Sequence, residues 1–549
     1  MEDADCDVLV VGAGFAGMYA VHRLRSDGFS VTAVEAAADV GGTWWWNRYP
    51  GARCDVESLE YSYGFDDELQ QSWRWSERYA AQPELLDYAN HVADRFDLRR
   101  DVSFDTRVTA ATWGEVERTW TVTTQRVAQR SVHGDVLAHE VVTRRARFVV
   151  MATGCLSAAN VPDIAGIDAF EAGGGTVLHT GRWPHDGVDM TGRRVAVIGT
   201  GSSGVQAIPQ IAADATQLTV FQRTATYAAP AHNAPLDDDA VAAVTADYPG
   251  FRAALRKRTT AFGASYPPAH PSALAVSEDE RDAILEERWR QGGFAVATAF
   301  ADLLVDAEAN ERVADFVRRK IRSIVEDPVV ADALCPTQTI ACKRMCVDTG
   351  YYETFNRSHV ELVSVADDPI AELTASGITL TSGASYDVDT VVFATGYDAM
   401  TGSLDRIDIR GVDDVTLRDA WAAGPRTLLG LAVPGIPNLF TVTGPGSPSV
   451  LSNMIVAIEQ HVEWIAGCLT WLREHGRERI EATEAAADRW VAHVNAIADL
   501  TLSPSCNSWD LGAIVPGKPR VFMPVLGFPA YAAECERVAA TDYDGFDVR

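Results

Sequence analysis

His179–Gly204 reads H-T-G-R-W-P-H-D-G-V-D-M-T-G-R-R-V-A-V-I-G-T-G-S-S-G. Its second half runs an apolar strand, Val195-Ala196-Val197-Ile198, straight into Gly199-x-Gly201-x-x-Gly204, the turn that lets a backbone approach a pyrophosphate at a helix N-terminus. Thr200, Ser202, Ser203 and Gln206 lie in that turn and in the helix it opens, and join the three glycines as candidate cofactor contacts. A single fingerprint of this kind is weak, because glycine-rich turns are common. A second one near the N-terminus makes it strong, and two fingerprints imply two dinucleotides.

The second copy is Asp7-Val8-Leu9-Val10-Val11, of buried parallel-strand type, followed by Gly12-Ala13-Gly14-Phe15-Ala16-Gly17 and a helical stretch to about Ser26. The next strand, Ser30–Val34, ends in Glu35, where such folds place a carboxylate that accepts hydrogen bonds from a ribose diol. A carboxylate there repels a 2′-phosphate, so this nucleotide is FAD or NAD. In the mid-chain unit the strand Leu218–Phe221 is followed instead by Gln222-Arg223-Thr224. A guanidinium and a hydroxyl suit a 2′-phosphate, which selects NADPH.

Two further strands close identically, Arg147–Gly154 and Thr390–Gly396, each ending A-T-G. Repeated closures of this kind resemble flavoproteins with two dinucleotide-binding domains. The expected fold is therefore α/β, with two Rossmann-like domains: a discontinuous FAD domain at 1–155 and 388–549, and an inserted NADP domain at 156–387. Within the latter, about 230–335 reads as a helical insertion, with a capping box at Ser277-x-x-Glu280 and an apolar face of Val313, Phe316, Val317, Ile321 and Ile324.

At 549 residues and 47% apolar content the chain can bury a large core and should form two or three domains. Lys and Arg total 47 against 76 Asp and Glu, a formal charge of −29, which argues against nucleic acid and membrane surfaces as partners. The acidic start, Met1-Glu2-Asp3-Ala4-Asp5, has no basic n-region, and no apolar run is long enough to span a bilayer; the expected location is cytoplasmic. Nine cysteines, without C-x-x-C pairs or zinc-spaced histidines, predict reduced thiols and no metal site, with Cys335, Cys342 and Cys346 grouped incidentally.

Disulfide reductases of the two-domain build carry a C-x-x-x-x-C pair soon after the first ribose carboxylate. Here the matching stretch is G-G-T-W-W-W-N-R-Y-P-G-A-R-C-D at 41–55, and Cys54 has no neighbouring partner. That stretch, with His179-Thr180-Gly181-Arg182-Trp183-Pro184, closely resembles type I Baeyer–Villiger monooxygenases. The resemblance runs almost end to end. It takes in Lys343-Arg344, the run D-T-G-Y-Y-E-x-F-N from Asp348 to Asn356, G-P-G-S-P-S at 444–449, Leu451–Met454, and Trp509 ahead of V-P-G-K-P-R at 515–520. Within the family the chain is most similar to the branch of phenylacetone and steroid monooxygenases. In the family fingerprint F-x-G-x-x-x-H-x-x-x-W-[P/D], Gly175, His179, Trp183 and Pro184 fall in place, while Gly173 stands at the Phe position. Ile514 stands where the family commonly has Asn. Related N-hydroxylating and flavin-containing monooxygenases usually lack the Trp-Pro ending.

The resemblance implies an enzyme that uses NADPH, FAD and O2 to convert small-molecule ketones to esters or lactones through a C4a-peroxyflavin, with sulfoxidation as a side activity. Every oxygen intermediate on that route is anionic, and a fixed guanidinium aimed at such an oxygen is worth roughly 3 kcal/mol or more. By resemblance Arg344 is that group, Asp55 holds and tunes it, and His179 orients the hinge between domains. Lys343, Arg223 and Thr224 would grip the NADP phosphate, and Trp509 would close over the nicotinamide ribose from a mobile lid. Gly42, Thr43, Trp44, Arg53, Cys54, Asp55, Tyr61, Val108 and Met454 are implied on the flavin side, and Ser447–Leu451 in the substrate pocket. Met454 falls near the start of a helix read over Ser452–His475. The implied assembly is a monomer or weak homo-oligomer. Two other readings remain at this point: a heteroatom-hydroxylating flavin monooxygenase, and a non-catalytic nucleotide-binding redox sensor.

Overall fold

The computed structural model describes residues 4–512, 517–524 and 527–549. Two sheets organise them, one mixed and one wholly parallel. The first, of nine strands, is ordered Asp408–Arg410, Thr106–Gly114, Thr119–Ser131, Gly134–Met151, Cys6–Val11, Val31–Val34 and Val102–Ser103. Ile436–Thr441 also pairs on Gly134–Met151, and Ala432–Val433 on Ile436–Thr441. Leu9 sits between Thr32 and Val149 in parallel register, so the N-terminal apolar run is the sheet's centre. The second sheet has five parallel strands in the order Val360–Ser364, Gln217–Gln222, Arg194–Ile198, Thr390–Phe393 and Thr176–His179.

Pairing moves one expected boundary. Thr390–Phe393 was placed at the start of the returning FAD segment, but it pairs with both Arg194–Ile198 and Thr176–His179. All four residues are buried in the second sheet, so the chain re-enters the first sheet after this strand and not at about 388. The repeated A-T-G endings have one cause in both sheets. Gly12 and Gly199 share φ of +110°, and a Cβ on either would lie 2.4 Å from the Ala152 carbonyl oxygen or 2.5 Å from that of Ala394. Each A-T-G strand thus abuts the fingerprint turn of its own sheet.

The stretch read as an insertion is helical, with helices Asp238–Ala246, Tyr248–Arg256, Glu278–Gln291, Ala307–Ile324 and Pro328–Leu334. Ser277 Oγ accepts from the Glu280 N–H, as a capping box requires, and Val313, Phe316, Val317 and Ile321 are buried on one face. The helix expected over 452–475 spans Met454–Glu474, capped by the Asn453 side chain.

The departure at Gly173 has a local explanation. A Cβ there would lie 2.5 Å from the Ala375 carbonyl oxygen, in the antiparallel sheet of Ile370–Thr374, Gly377–Leu380 and Ser385–Asp387 and its turns. The aromatic ring comes instead from Phe170, fully buried and packed on the Gly175 backbone.

Seven cysteines are free and buried, but Cys342 and Cys506 form a disulfide, their Cα atoms 5.5 Å apart. This corrects the expectation of reduced thiols throughout: the fold brings together two cysteines separated by 164 positions. Among the described residues no helix is long and apolar enough to cross a membrane, and no His, Cys, Asp and Glu cluster could hold a metal.

Candidate active site

At the first fingerprint, helix Phe15–Ser26 begins directly at Gly14 and points its N-terminus at the turn. Glu35 is buried, accepting from the N–H groups of Ala13 (2.6 Å) and Ala37 (2.7 Å) while burial raises its carboxyl's pKa. Thr43 and Trp44 open a short helix, Thr43–Trp46, behind Gly42, whose Cα meets that of Gly14 closely enough to exclude a side chain at either. Trp44 Nε1 is buried with no partner among the described residues. Tyr61 lies edge-on to Phe15 and to Trp44, with centroids 6.0 Å from each. Arg53 donates to Tyr79 O at 2.7 Å, and the Cys54 thiol is buried, its pKa pushed up by that burial. Val108 is apart from these. Its side chain packs with Leu9, Val149 and Met151, on the sheet face opposite the cluster of Phe15 and Trp44.

At the second fingerprint, Gly201 precedes helix Ser202–Asp214, and Thr200 Oγ1 donates to Thr224 O at 3.1 Å. Thr180 and Ser203 hydroxyls meet at 3.3 Å, and Ser202 Oγ lies 3.4 Å from Cys346 Sγ. Gln206 ties the two nucleotide turns together, accepting from Tyr49 OH at 2.7 Å and donating to Arg53 O at 3.1 Å. Arg223 and Thr224 are exposed, and Lys343 is half-buried. Burial, then the Arg223 charge, lowers the pKa of the Lys343 amine. Neither cation has an ion-pair partner among the described residues. Two unpaired cations held together are what a dianionic phosphate requires, so the donor set fits a 2′-phosphorylated nucleotide.

Between the two nucleotide turns stands Arg344. Its Nε and Nη2 form a fork on Asp55 at 2.7 and 2.9 Å, and Nη1 donates to Val450 O at 2.7 Å. Two rings lie on one flank of the guanidinium, Phe294 with its centroid 4.6 Å away and Phe262 at 5.5 Å, the two centroids 5.3 Å from each other. Burial opposes the charge and the Asp55 carboxylate more than offsets it, so the pKa of Arg344 is raised. Phe262 is fixed by its turn: Gly263 and Ala264 N–H groups donate to the Glu60 carboxylate at 2.7 Å each, and Asn453 N donates to Thr260 O. Sequence reasoning missed both rings. Each is a lone aromatic beside glycine in irregular chain, Phe262-Gly263 and Gly293-Phe294, with no periodicity to mark it.

His179 is not with Arg344. It is fully buried at the end of its strand, where Nδ1 accepts from Gly181 N at 2.9 Å and Nε2 lies 3.4 Å from Thr395 Oγ1. Thr395 in turn donates to Asn160 O, so the imidazole pins the two strand-to-loop crossings of the second sheet. The imidazole contacts this crossing and not Arg344, and burial pushes its pKa down to about 4.

Trp509, like Leu451 and Met454, packs against the cluster of Cys155, Ala399, Met400, Val450 and Met523. The Cys342–Cys506 disulfide ties the segment before Trp509 to the residue before Lys343. Lys518 Nζ pairs with Asp398 and donates to Ala399 O at 2.8 Å. Ile514 lies outside the described residues.

The pyridine nucleotide-disulphide oxidoreductase family matches residues 6–247, the span of both fingerprints. A Baeyer–Villiger monooxygenase of Pseudooceanicola batsensis is 44% identical, covering 95% of this chain and 92% of its own length. Among solved structures, an oxidized steroid monooxygenase bound to NADP is 51% identical with a TM-score of 0.90, covering 99% of both chains. An OTEMO complex with FAD and NADP is 43% identical with a TM-score of 0.92, covering 100% of both.

Proposed function

The chain belongs to the type I Baeyer–Villiger monooxygenases, flavoproteins that convert ketones to esters or lactones with NADPH and O2, and we propose that its ketone is oxidised beside Arg344. The flavin, reduced by NADPH, supplies dioxygen in a form that can attack a carbonyl carbon. The chain's own residues must keep that oxygen anionic, hold the ketone near it and exclude water. The observation carrying this assignment is the setting of Arg344: a guanidinium held by one carboxylate, with two phenylalanine rings on one flank. In such a low-dielectric place a fixed positive charge stabilises a developing oxyanion by roughly 3 kcal/mol or more. Asp55 fixes the plane of the fork and Val450 O its third edge. Phe262, Phe294 and Val450 offer apolar surface to a ketone.

Glu35 supports FAD at the first turn, and Lys343, Arg223 and Thr224 support the NADP phosphate at the second. His179 acts as a positioning residue at the crossing between domains. The FAD domain takes 1–155 and the chain beyond the strand Thr390–Phe393, with the NADP domain between. Seven buried free thiols against one disulfide support a cytoplasmic location, and a monomer or weak homo-oligomer as the working form fits the scattered exposed hydrophobics. The test is to incubate the FAD-loaded protein with NADPH, isotopically labelled dioxygen and cyclic, aryl and steroidal ketones. The expected result is an ester or lactone carrying one labelled oxygen. NADPH oxidised only to hydrogen peroxide across the panel would overturn the assignment.

A further inference from the structure

Asp510 follows Trp509 in the short turn Trp509–Leu511. The residue is 5% exposed; the Ser508 hydroxyl and the Leu511 N–H lie beside its carboxyl, and Oδ1 has no hydrogen-bond partner of its own among the described residues. A buried acceptor without a donor is costly, so an orphan of this kind in a folded chain marks a place that a ligand completes. The charges of Lys343 and Arg344 both act on this carboxyl. Arg344 directs Nε and Nη2 to Asp55 and one Nη1 N–H to Val450 O, and none of its N–H groups reaches Asp510 Oδ1. Lys343 faces Arg223, where it serves a phosphate. The disulfide from Cys506 to Cys342 holds the Asp510 turn against this same stretch.

The missing donor therefore belongs to whatever enters between the phosphate-binding cations and Arg344. A nucleotide whose phosphate lies at Arg223 and Lys343 extends its nicotinamide toward Arg344, and the exocyclic carboxamide offers two N–H groups. We infer that Asp510 Oδ1 accepts a hydrogen bond from the nicotinamide carboxamide, so that Asp510 grips the redox end of the nucleotide while Lys343 and Arg223 grip its phosphate. This rests on the reading of the second turn as an NADP site.

Calorimetric titration of the FAD-loaded protein separates the two claims. The probes are NADP+, its 3-acetylpyridine analogue, which keeps the carbonyl but lacks the N–H groups, and 2′,5′-ADP, which carries only the phosphate end. Wild type is expected to bind NADP+ about tenfold more tightly than the acetylpyridine analogue, the worth of one hydrogen bond to a charged acceptor. Asp510→Ala should abolish that preference and leave 2′,5′-ADP affinity unchanged. Asp510→Asn, which keeps an acceptor oxygen, should restore part of it; retained flavin absorbance and melting temperature certify both variants as folded. Equal wild-type affinity for NADP+ and the analogue, or a preference that survives in Asp510→Ala, would overturn the inference while the NADP site stands. Failure of 2′,5′-ADP to bind wild type would overturn the NADP reading and the inference together.

Discussion

Arg344 is held along its fork edge by Asp55, at Nη1 by Val450 O, and on one flank by the adjoining rings of Phe262 and Phe294. A lysine would keep the charge but could neither fork onto Asp55 nor lay a flat cation against the rings. Arg344→Ala is expected to lower the yield of ester per NADPH by about a hundredfold or more, with NADPH oxidation continuing; product and peroxide measured together check this. His179 makes an independent prediction about pH. Burial takes its pKa from 6.5 to about 4, so between those values the unfolded chain binds a proton that the folded chain does not. The stability it contributes is full above pH 6.5 and is lost as pH falls toward 4, about 3 kcal/mol over the window. Urea unfolding at several pH values should show a shallower dependence in His179→Gln than in wild type. His461, pushed to about 3 by burial, keeps part of the slope in both proteins.

The short approach to the second sheet shows how one element solved a missing residue. Phe170 fills the space beside Gly175 that an aromatic at 173 would otherwise claim, because Gly173 lies against the Ala375 carbonyl. Phe170→Ala should cost about 3–5 kcal/mol, and Gly173→Phe, which installs the family's residue, should lower the melting temperature as well. The disulfide acts at the same scale. Non-reducing digestion should yield one cross-linked peptide pair, Cys342 with Cys506, and Cys506→Ser should accelerate NADP+ release by loosening the Trp509 segment. The fingerprint turns, their strands and the capped helices were legible because each is set by neighbours in sequence. The disulfide and the rings at 262 and 294 were not, since both depend on contacts between distant segments. The sheet that owns Thr390–Phe393 was hidden for a related reason: an A-T-G ending against a glycine turn looks the same in either sheet.

Across the whole molecule the two nucleotide domains share one apolar core, and polar ties reinforce it. Gln206 joins the turn at 49–53 to the second fingerprint helix, and Asp135, on the long hairpin of the first sheet, holds Arg182 at 2.9 Å beside Arg107. Burial opposes the Asp135 charge, but the two arginines hold its carboxyl below the usual range. Asp135→Ala leaves two cations facing each other at the crossing, and calorimetry should then split or broaden the unfolding transition. On the proposed reading these ties set the distance between the nicotinamide and the flavin, with Arg344 between them. The most direct test is a crystal structure of the chain with FAD and NADP+ bound. The account predicts the Arg344 guanidinium beside the reacting edge of the isoalloxazine ring, with Asp55 still on its fork. An Arg344 remote from that edge, with no turn or domain movement able to bring it back, would contradict it.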